Sequence, residues 1–271
     1  MRKELEMLSA VCFFVLIMLF VPSLFSEELF GLAYLLSLLL PLATGVMLYT
    51  SSRGKDGLLA PLIPRGGRIF FTLPVIVPTL FIIIGISYLT SLLIFSLTGK
   101  ESIPELPESL PLAILIYALL PSVMEELLFR YLPMLFIGKD SPRLCILASA
   151  VFFALVHHSF FSIPYAFFAG LVFMALDLYA GSIYPSLIAH FLNNLISVLW
   201  ILYSDREVFV FCYFGALISL SLVSVFILFS KKESYLRAFR PLSSRGEKIV
   251  VPPLTFMLIF ATLFMAILEL V

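Results

Sequence analysis

Charge is scarce in this sequence. Only 13% of its 271 residues are Asp, Glu, Lys or Arg, about half of the roughly 25% carried by a soluble globular domain. The scarce charges cancel, with 17 basic against 17 acidic residues, so no basic surface points to nucleic acid. Cysteine is nearly absent. Cys12, Cys145 and Cys212 are odd in number, lie in apolar runs and form no C-x-x-C. That argues against a disulfide framework and a zinc–cysteine site. Histidine is limited to three residues, with no H-E-x-x-H to mark a helical zinc site. The chain also lacks internal repeats, low-complexity tracts and a long hydrophilic segment. No stretch between apolar runs exceeds about twenty residues, which leaves no room for a soluble domain.

Apolar sequence fills the space. Hydrophobic residues make up 62% of the chain, and mean hydropathy is +1.12. A membrane span needs roughly 20 mostly apolar residues. Nine runs qualify or nearly so: 7–25, 29–50, 69–97, 109–137, 144–162, 164–180, 184–203, 207–230 and 250–270. Basic residues precede the first run as in a signal peptide, but the run is long and no A-x-A site follows, so it reads as a retained span. Pro74 and Pro78 are expected to kink or tilt the long third run. The fold expected is an all-α, polytopic transmembrane bundle of about 8–9 spans, forming a single domain over 1–271.

Loop charges orient the bundle. With a cytoplasmic N-terminus, the inside segments hold fourteen of the seventeen Lys and Arg residues. The outside segments hold only Lys100 and Arg206, and Arg130 lies within a span. The positive-inside rule therefore favours that orientation and an odd span count. The short runs on either side of Pro164 are the joint on which the count turns.

Ionisable residues away from span ends are few: Glu125, Glu126 and Arg130 in the fourth run, His157 and His158 in the fifth, Asp177 in the sixth and His190 in the seventh. A charge at the bilayer centre costs about 2.5–3.5 kcal/mol on insertion scales, so such residues usually face the bundle interior and have work there. Glu126 and Arg130 are four apart, share a helix face and are expected to pair. Glu125 is turned about 100° away and left to act elsewhere. The competing structural role is an ion-pair knot that binds helices together. His190 and Asn194 also share a face, whereas His158 and Asn193 point about 100° from their neighbours and read as structural. Counting about 1.5 Å per residue from the inside ends puts Glu125 roughly 18 Å deep, His157 roughly 20 Å, Asn194 roughly 15 Å and His190 roughly 9 Å, compatible with one intramembrane site.

A carboxylate and a histidine can deprotonate water for attack on a carbonyl. A second histidine and an asparagine can donate to the oxyanion that forms. The set needs no serine or cysteine nucleophile and suggests amide hydrolysis in the membrane. Glu125, His157 and His190 could alternatively hold zinc, which would activate the water. A third possibility is a proton-coupled transporter with Asp177 in a relay, although no inverted repeat supports it.

E-E-L-L-F-R, F-A-L-V-H and H-F-L-N-N, in this order on successive apolar runs, resemble the motifs E-E-x-x-x-R, F-x-x-x-H and H-x-x-x-N. These mark the CAAX protease and bacteriocin-processing (Abi) family of intramembrane endopeptidases, which includes the Ras-converting CAAX prenyl proteases. G-S-I-Y-P-S-L-I-A-H is similar to that family's approach to its third motif. The resemblance covers 109–203 as a catalytic core, with accessory spans on both sides. It implies that Glu125 and His157 activate water, that Glu126 and Arg130 support them, and that His190 and Asn194 hold the oxyanion, without a cofactor. It further implies a peptide or lipid-modified protein substrate, a lipid bilayer as surroundings, and a multi-pass location in a membrane, expected to be the cell membrane of a prokaryote.

Overall fold

The computed structural model describes residues 2–18, 27–99, 106–107, 109–157, 159–240 and the single positions 253, 255 and 259. Every regular element among the described residues is helical. The helices are α1 (Arg2–Met18), α2 (Glu27–Arg53), α3 (Gly66–Thr98), α4 (Leu110–Gly138), α5 (Pro142–Val156), α6 (Ile163–Ala180), α7 (Tyr184–Tyr203), α8 (Glu207–Ser230) and α9 (Lys232–Phe239). Six stretches are long and apolar enough to cross a bilayer: Leu35–Arg53 within α2, and all of α3, α4, α6, α7 and α8. The protein is an integral membrane protein on these grounds. Most of the ninth expected run, and residues 19–25 of the first, lie outside the described residues.

Proline sets many of the helix starts. Pro111, Pro142, Pro164 and Pro185 occupy the first turns of α4, α5, α6 and α7. There the missing N–H would have had no helical partner, and the fixed φ suits the helix. Inside α3, Pro74 and Pro78 do not end the helix, which continues for 33 residues. At about 1.5 Å per residue it is longer than a hydrocarbon core of about 30 Å, so it must tilt or protrude.

α4 departs from regular α geometry. Ile114–Leu119, Leu127–Tyr131 and Met134–Gly138 are π-helical, closed by bonds such as Leu120 N–H to Leu115 O and Leu132 N–H to Leu127 O. The first two segments each lie just ahead of a proline, Pro121 and Pro133. A proline ring clashes with the carbonyl four residues back and supplies no N–H. A switch to i→i+5 bonding accommodates both faults.

α5 and α6 form the closest-packed pair. Small residues let their backbones approach: a Cβ placed on Gly170 would lie 2.6 Å from the Ala150 Cα. Helix association in lipid depends on such close approach, because lipid tails are as apolar as the side chains. α5 is also shorter than its apolar run. It stops at Val156, leaving His157 at its C-cap, and the following helix resumes only at Ile163. The expected continuous span 144–162 is therefore interrupted: a 15-residue helix, Pro142–Val156, ends inside it, and 159–162 are turns and bends.

Asp177 joins α6 to α7. Its carbonyl accepts from the Gly181 and Ser182 N–H groups at 2.6 and 3.1 Å, closing α6. Its carboxylate Oδ1 accepts the Ser186 N–H at 2.9 Å, satisfying an otherwise unbonded donor in the first turn of α7. Gly181 supplies the left-handed φ of 67° that the turn requires. The turn is sunk into the protein, with Ser182 and Ile183 buried and the Ile183 N–H donated to the Pro61 carbonyl at 3.0 Å.

Candidate active site

α4, α5 and α7 bring the intramembrane polar residues to one place. Glu125 and Glu126 end a regular α segment of α4, directly before the π turn that carries Arg130. Glu126 and Arg130 are fully buried, and Glu126 Oε2 lies 3.2 Å from Arg130 Nε. The guanidinium is further held by Phe129 O at 3.2 Å and Ser149 Oγ at 3.1 Å. Its central carbon sits 4.4 Å from the centre of the Phe153 ring, a cation–π contact that strengthens when water is excluded.

Glu126 also has a second partner. His190 Nδ1 lies 2.7 Å from Glu126 Oε1. A carboxylate only accepts, so this nitrogen carries the proton and donates it. The other ring nitrogen, Nε2, lies 3.8 Å from Glu125 Oε2. Glu126 thus orients the imidazole from behind while Nε2 faces Glu125 (an arrangement helix periodicity alone did not contain). His190 stands level with the two acids, not in a shallower layer. The start of α7 is itself buried at Ser182 and Ile183, which sets His190 deeper than a count of residues from the end of its run suggests.

Glu125 faces a small cavity of about 70 Å³, lined also by His157, His190, Asn193, Asn194 and Tyr165. That volume holds a few waters. Glu125 keeps 15% of its side chain exposed, against none for Glu126. His157 Nδ1 lies 2.7 Å from the Phe153 carbonyl, so this nitrogen donates, and the neutral ring has Nε2 as its acceptor. Phe153 stands edge-on to both His157 and His190, at ring separations of 4.7 and 5.5 Å, and wedges the two imidazoles in place. The phenylalanine of F-A-L-V-H therefore supplies a carbonyl and a ring to the site.

Asn194 donates to Ser122 Oγ at 3.4 Å, and Ser122 donates to the Ala118 carbonyl at 2.6 Å. Asn193, expected to be structural, is also at the site. It lines the cavity and donates to Asn194 Oδ1 at 3.3 Å. Neighbouring positions on a helix can both border one cavity when the cavity meets that helix broadly. Ser122 was legible in principle, since it precedes Glu125 by three and Glu126 by four. Tyr165 had no sequence signal beyond its place after Pro164. His158 lies outside the described residues.

Among the described residues, no three His, Cys, Asp or Glu side chains gather closely enough to hold a metal ion. Glu125, His157 and His190, the set weighed for zinc from sequence, border the same cavity. Each imidazole already spends its Nδ1 on a protein oxygen. Asp177, the residue on which a proton relay would turn, spends one carboxylate oxygen on the start of α7.

Residues 107–196 match the family model described as Rce1-like, type II CAAX prenyl endopeptidase Rce1-like. The matched segment contains all seven motif residues, from Glu125 to Asn194. No curated protein and no solved structure gives a match.

Proposed function

From the premise that the chain belongs to the CAAX protease family through residues 107–196, and is thus a CAAX-type intramembrane endopeptidase, we propose that it hydrolyses its peptide bond with a water activated by Glu125 and His157. The observation that carries this reading is the single cavity lined by Glu125, His157, His190 and Asn194. The catalytic core is the segment 109–203, and the other helices are accessory to it.

In this reading water binds between Glu125 and His157. Glu125 removes a proton as the water oxygen attacks the carbonyl carbon. The carbonyl oxygen becomes an oxyanion and accepts hydrogen bonds from His190 Nε2 and the Asn194 amide. To donate from Nε2 while Nδ1–H is held by Glu126, His190 carries both ring protons. The charges then match in two pairs, Glu126 with Arg130 and Glu125 with His190. Collapse of the tetrahedral intermediate breaks the C–N bond, and the proton held by Glu125 passes to the leaving amine. Pre-aimed donors of this kind act on charge that develops only in the transition state. No metal takes part.

The substrate is a protein tail bearing an isoprenoid near its C-terminus. The family supports this choice, as do the apolar residues Ile83, Ala169 and Phe173 beside the polar groups. The natural setting is a prokaryotic cell membrane. Purified protein in lipid nanodiscs would be given a farnesylated C-terminal peptide, and release of the terminal tripeptide followed by mass spectrometry. Cleavage that disappears in Glu125→Ala and His157→Ala, and survives a chelator in wild type, is the expected result. Equal cleavage by Glu125→Ala would overturn the mechanism.

A further inference from the structure

A second cavity, of about 230 Å³, opens at the other end of α4 from Leu110. Arg53, Arg65 and Lys139 border it with exposed side chains, and Pro61, Leu135 and Leu178 form its apolar wall. It is more than three times the size of the cavity at Glu125. No carboxylate lines it. Arg53 is balanced from outside the cavity by Glu4 at 3.1 Å and Asp140 at 3.0 Å. Arg65 and Lys139 have no ion-pair partner among the described residues.

Arg65 is placed by backbone. Its guanidinium lies across Gly181, so close that a Cβ there would be 2.8 Å from a guanidinium nitrogen. The C-terminal end of α6, where carbonyls present partial negative charge, therefore steadies this cation without cancelling it. Lys139 approaches Gly57, its ammonium 3.7 Å from the position a Cβ would take. The connections 54–65 and 139–141 thus aim two uncompensated cations into one recess with apolar sides.

Contacts tie several basic segments to this end of the bundle. Arg53 meets Glu4 and Asp140, Arg68 donates to the Tyr179 carbonyl at 3.3 Å, and the Tyr235 hydroxyl donates to the Phe71 carbonyl at 3.0 Å. These segments contain most of the chain's Lys and Arg residues, so the positive-inside rule assigns this end to the cytoplasmic surface. We propose that the Arg53–Arg65–Lys139 recess binds the phosphate headgroup of an anionic phospholipid of the cytoplasmic leaflet. The phosphate lies between Arg65 and Lys139, and the glycerol backbone lies along Pro61, Leu135 and Leu178. Basic pockets between membrane helices on the cytoplasmic side bind such headgroups.

The full-length protein, purified and delipidated, is reconstituted with equal amounts of phosphatidylglycerol and phosphatidylcholine, and retained lipid is read by native mass spectrometry. Wild type is expected to retain phosphatidylglycerol in preference. Arg65→Gln with Lys139→Gln should lower that retention roughly twenty-fivefold, at about fivefold for each cation lost. Lys231→Gln with Lys232→Gln, on exposed residues outside the recess, should retain the lipid as wild type does. Arg65→Lys serves as the charge-keeping variant and should keep most of the binding. Equal retention of the two lipids by wild type, undiminished retention by the double variant, or an equal loss in the Lys231/Lys232 control would overturn the proposal. Full displacement by about 10 mM inorganic phosphate at physiological ionic strength would assign the site to free phosphate and overturn the lipid reading, since only steady screening is expected there. None of these outcomes depends on peptidase activity, so the inference stands or falls apart from the reaction at Glu125.

Discussion

His190 holds Glu126 Oε1 at 2.7 Å with one ring nitrogen and faces Glu125 Oε2 at 3.8 Å with the other. Two adjacent acids on one helix therefore approach the same imidazole from opposite sides. One is sealed behind it with Arg130, and the other opens on a cavity.

This division predicts opposite defects for two conservative changes. Glu126→Gln leaves the Arg130 guanidinium buried without its charge partner and should cost about 3–5 kcal/mol of stability. Glu125→Gln removes a longer, partly exposed pairing and leaves His190 bonded to Glu126, so it should cost less stability than Glu126→Gln while losing cleavage. Thermal unfolding in detergent, paired with the farnesyl-peptide assay, separates the two.

Asn194→Ala should lower kcat by about 10²–10³, the usual effect of deleting one oxyanion donor, with KM little changed. Asn193→Ala should act through Asn194, whose side-chain oxygen it supports, and fall short of that loss. Steady-state kinetics on both variants would check the order. A larger defect in Asn193→Ala would exchange their roles.

Asp177→Asn keeps an oxygen that can accept the Ser186 N–H, so activity should persist with a small loss of stability. Asp177→Leu leaves that donor without its acceptor and should cost about 1–3 kcal/mol. Cleavage by both variants, with a lowered unfolding temperature for the leucine, marks Asp177 as a helix joint. Loss of cleavage in the asparagine variant alone would indicate a need for its charge.

Gly170→Val should separate α5 from α6. Its Cβ meets backbone at Ala150, where no flexible side chain can yield. A cost of about 1–3 kcal/mol or more is expected from overpacking. His157, at the end of α5, should lose its place against Phe153 as well. Reduced melting temperature and reduced cleavage should appear together.

Much of this was legible in sequence. Apolar run lengths located the long helices, and prolines marked the starts of four of them. The i,i+4 spacing of Glu126 and Arg130 anticipated their contact, because both lie on a single helix. What escaped depended on contacts between helices or on local departures from 3.6 residues per turn. The Glu126–His190 bond joins residues 64 positions apart. The end of α5 at Val156 was hidden because the sequence stays apolar past it. The π turns of α4 left a faint trace in Pro121 and Pro133, visible only once proline's clash with the preceding turn is considered.

The turn between α6 and α7 has a consequence for how this protein can vary. Gly181, Ser182 and Ile183 span it under three constraints: a left-handed φ, two bonds to the Asp177 carbonyl and a bond to Pro61. His190 follows only two helical turns later. One residue inserted here would rotate α7 by about 100° and carry His190 away from both acids. Length at this turn is therefore under tighter constraint than the identity of most side chains around the site, and a single-residue insertion between Ser182 and Ile183 should abolish cleavage where many substitutions would not.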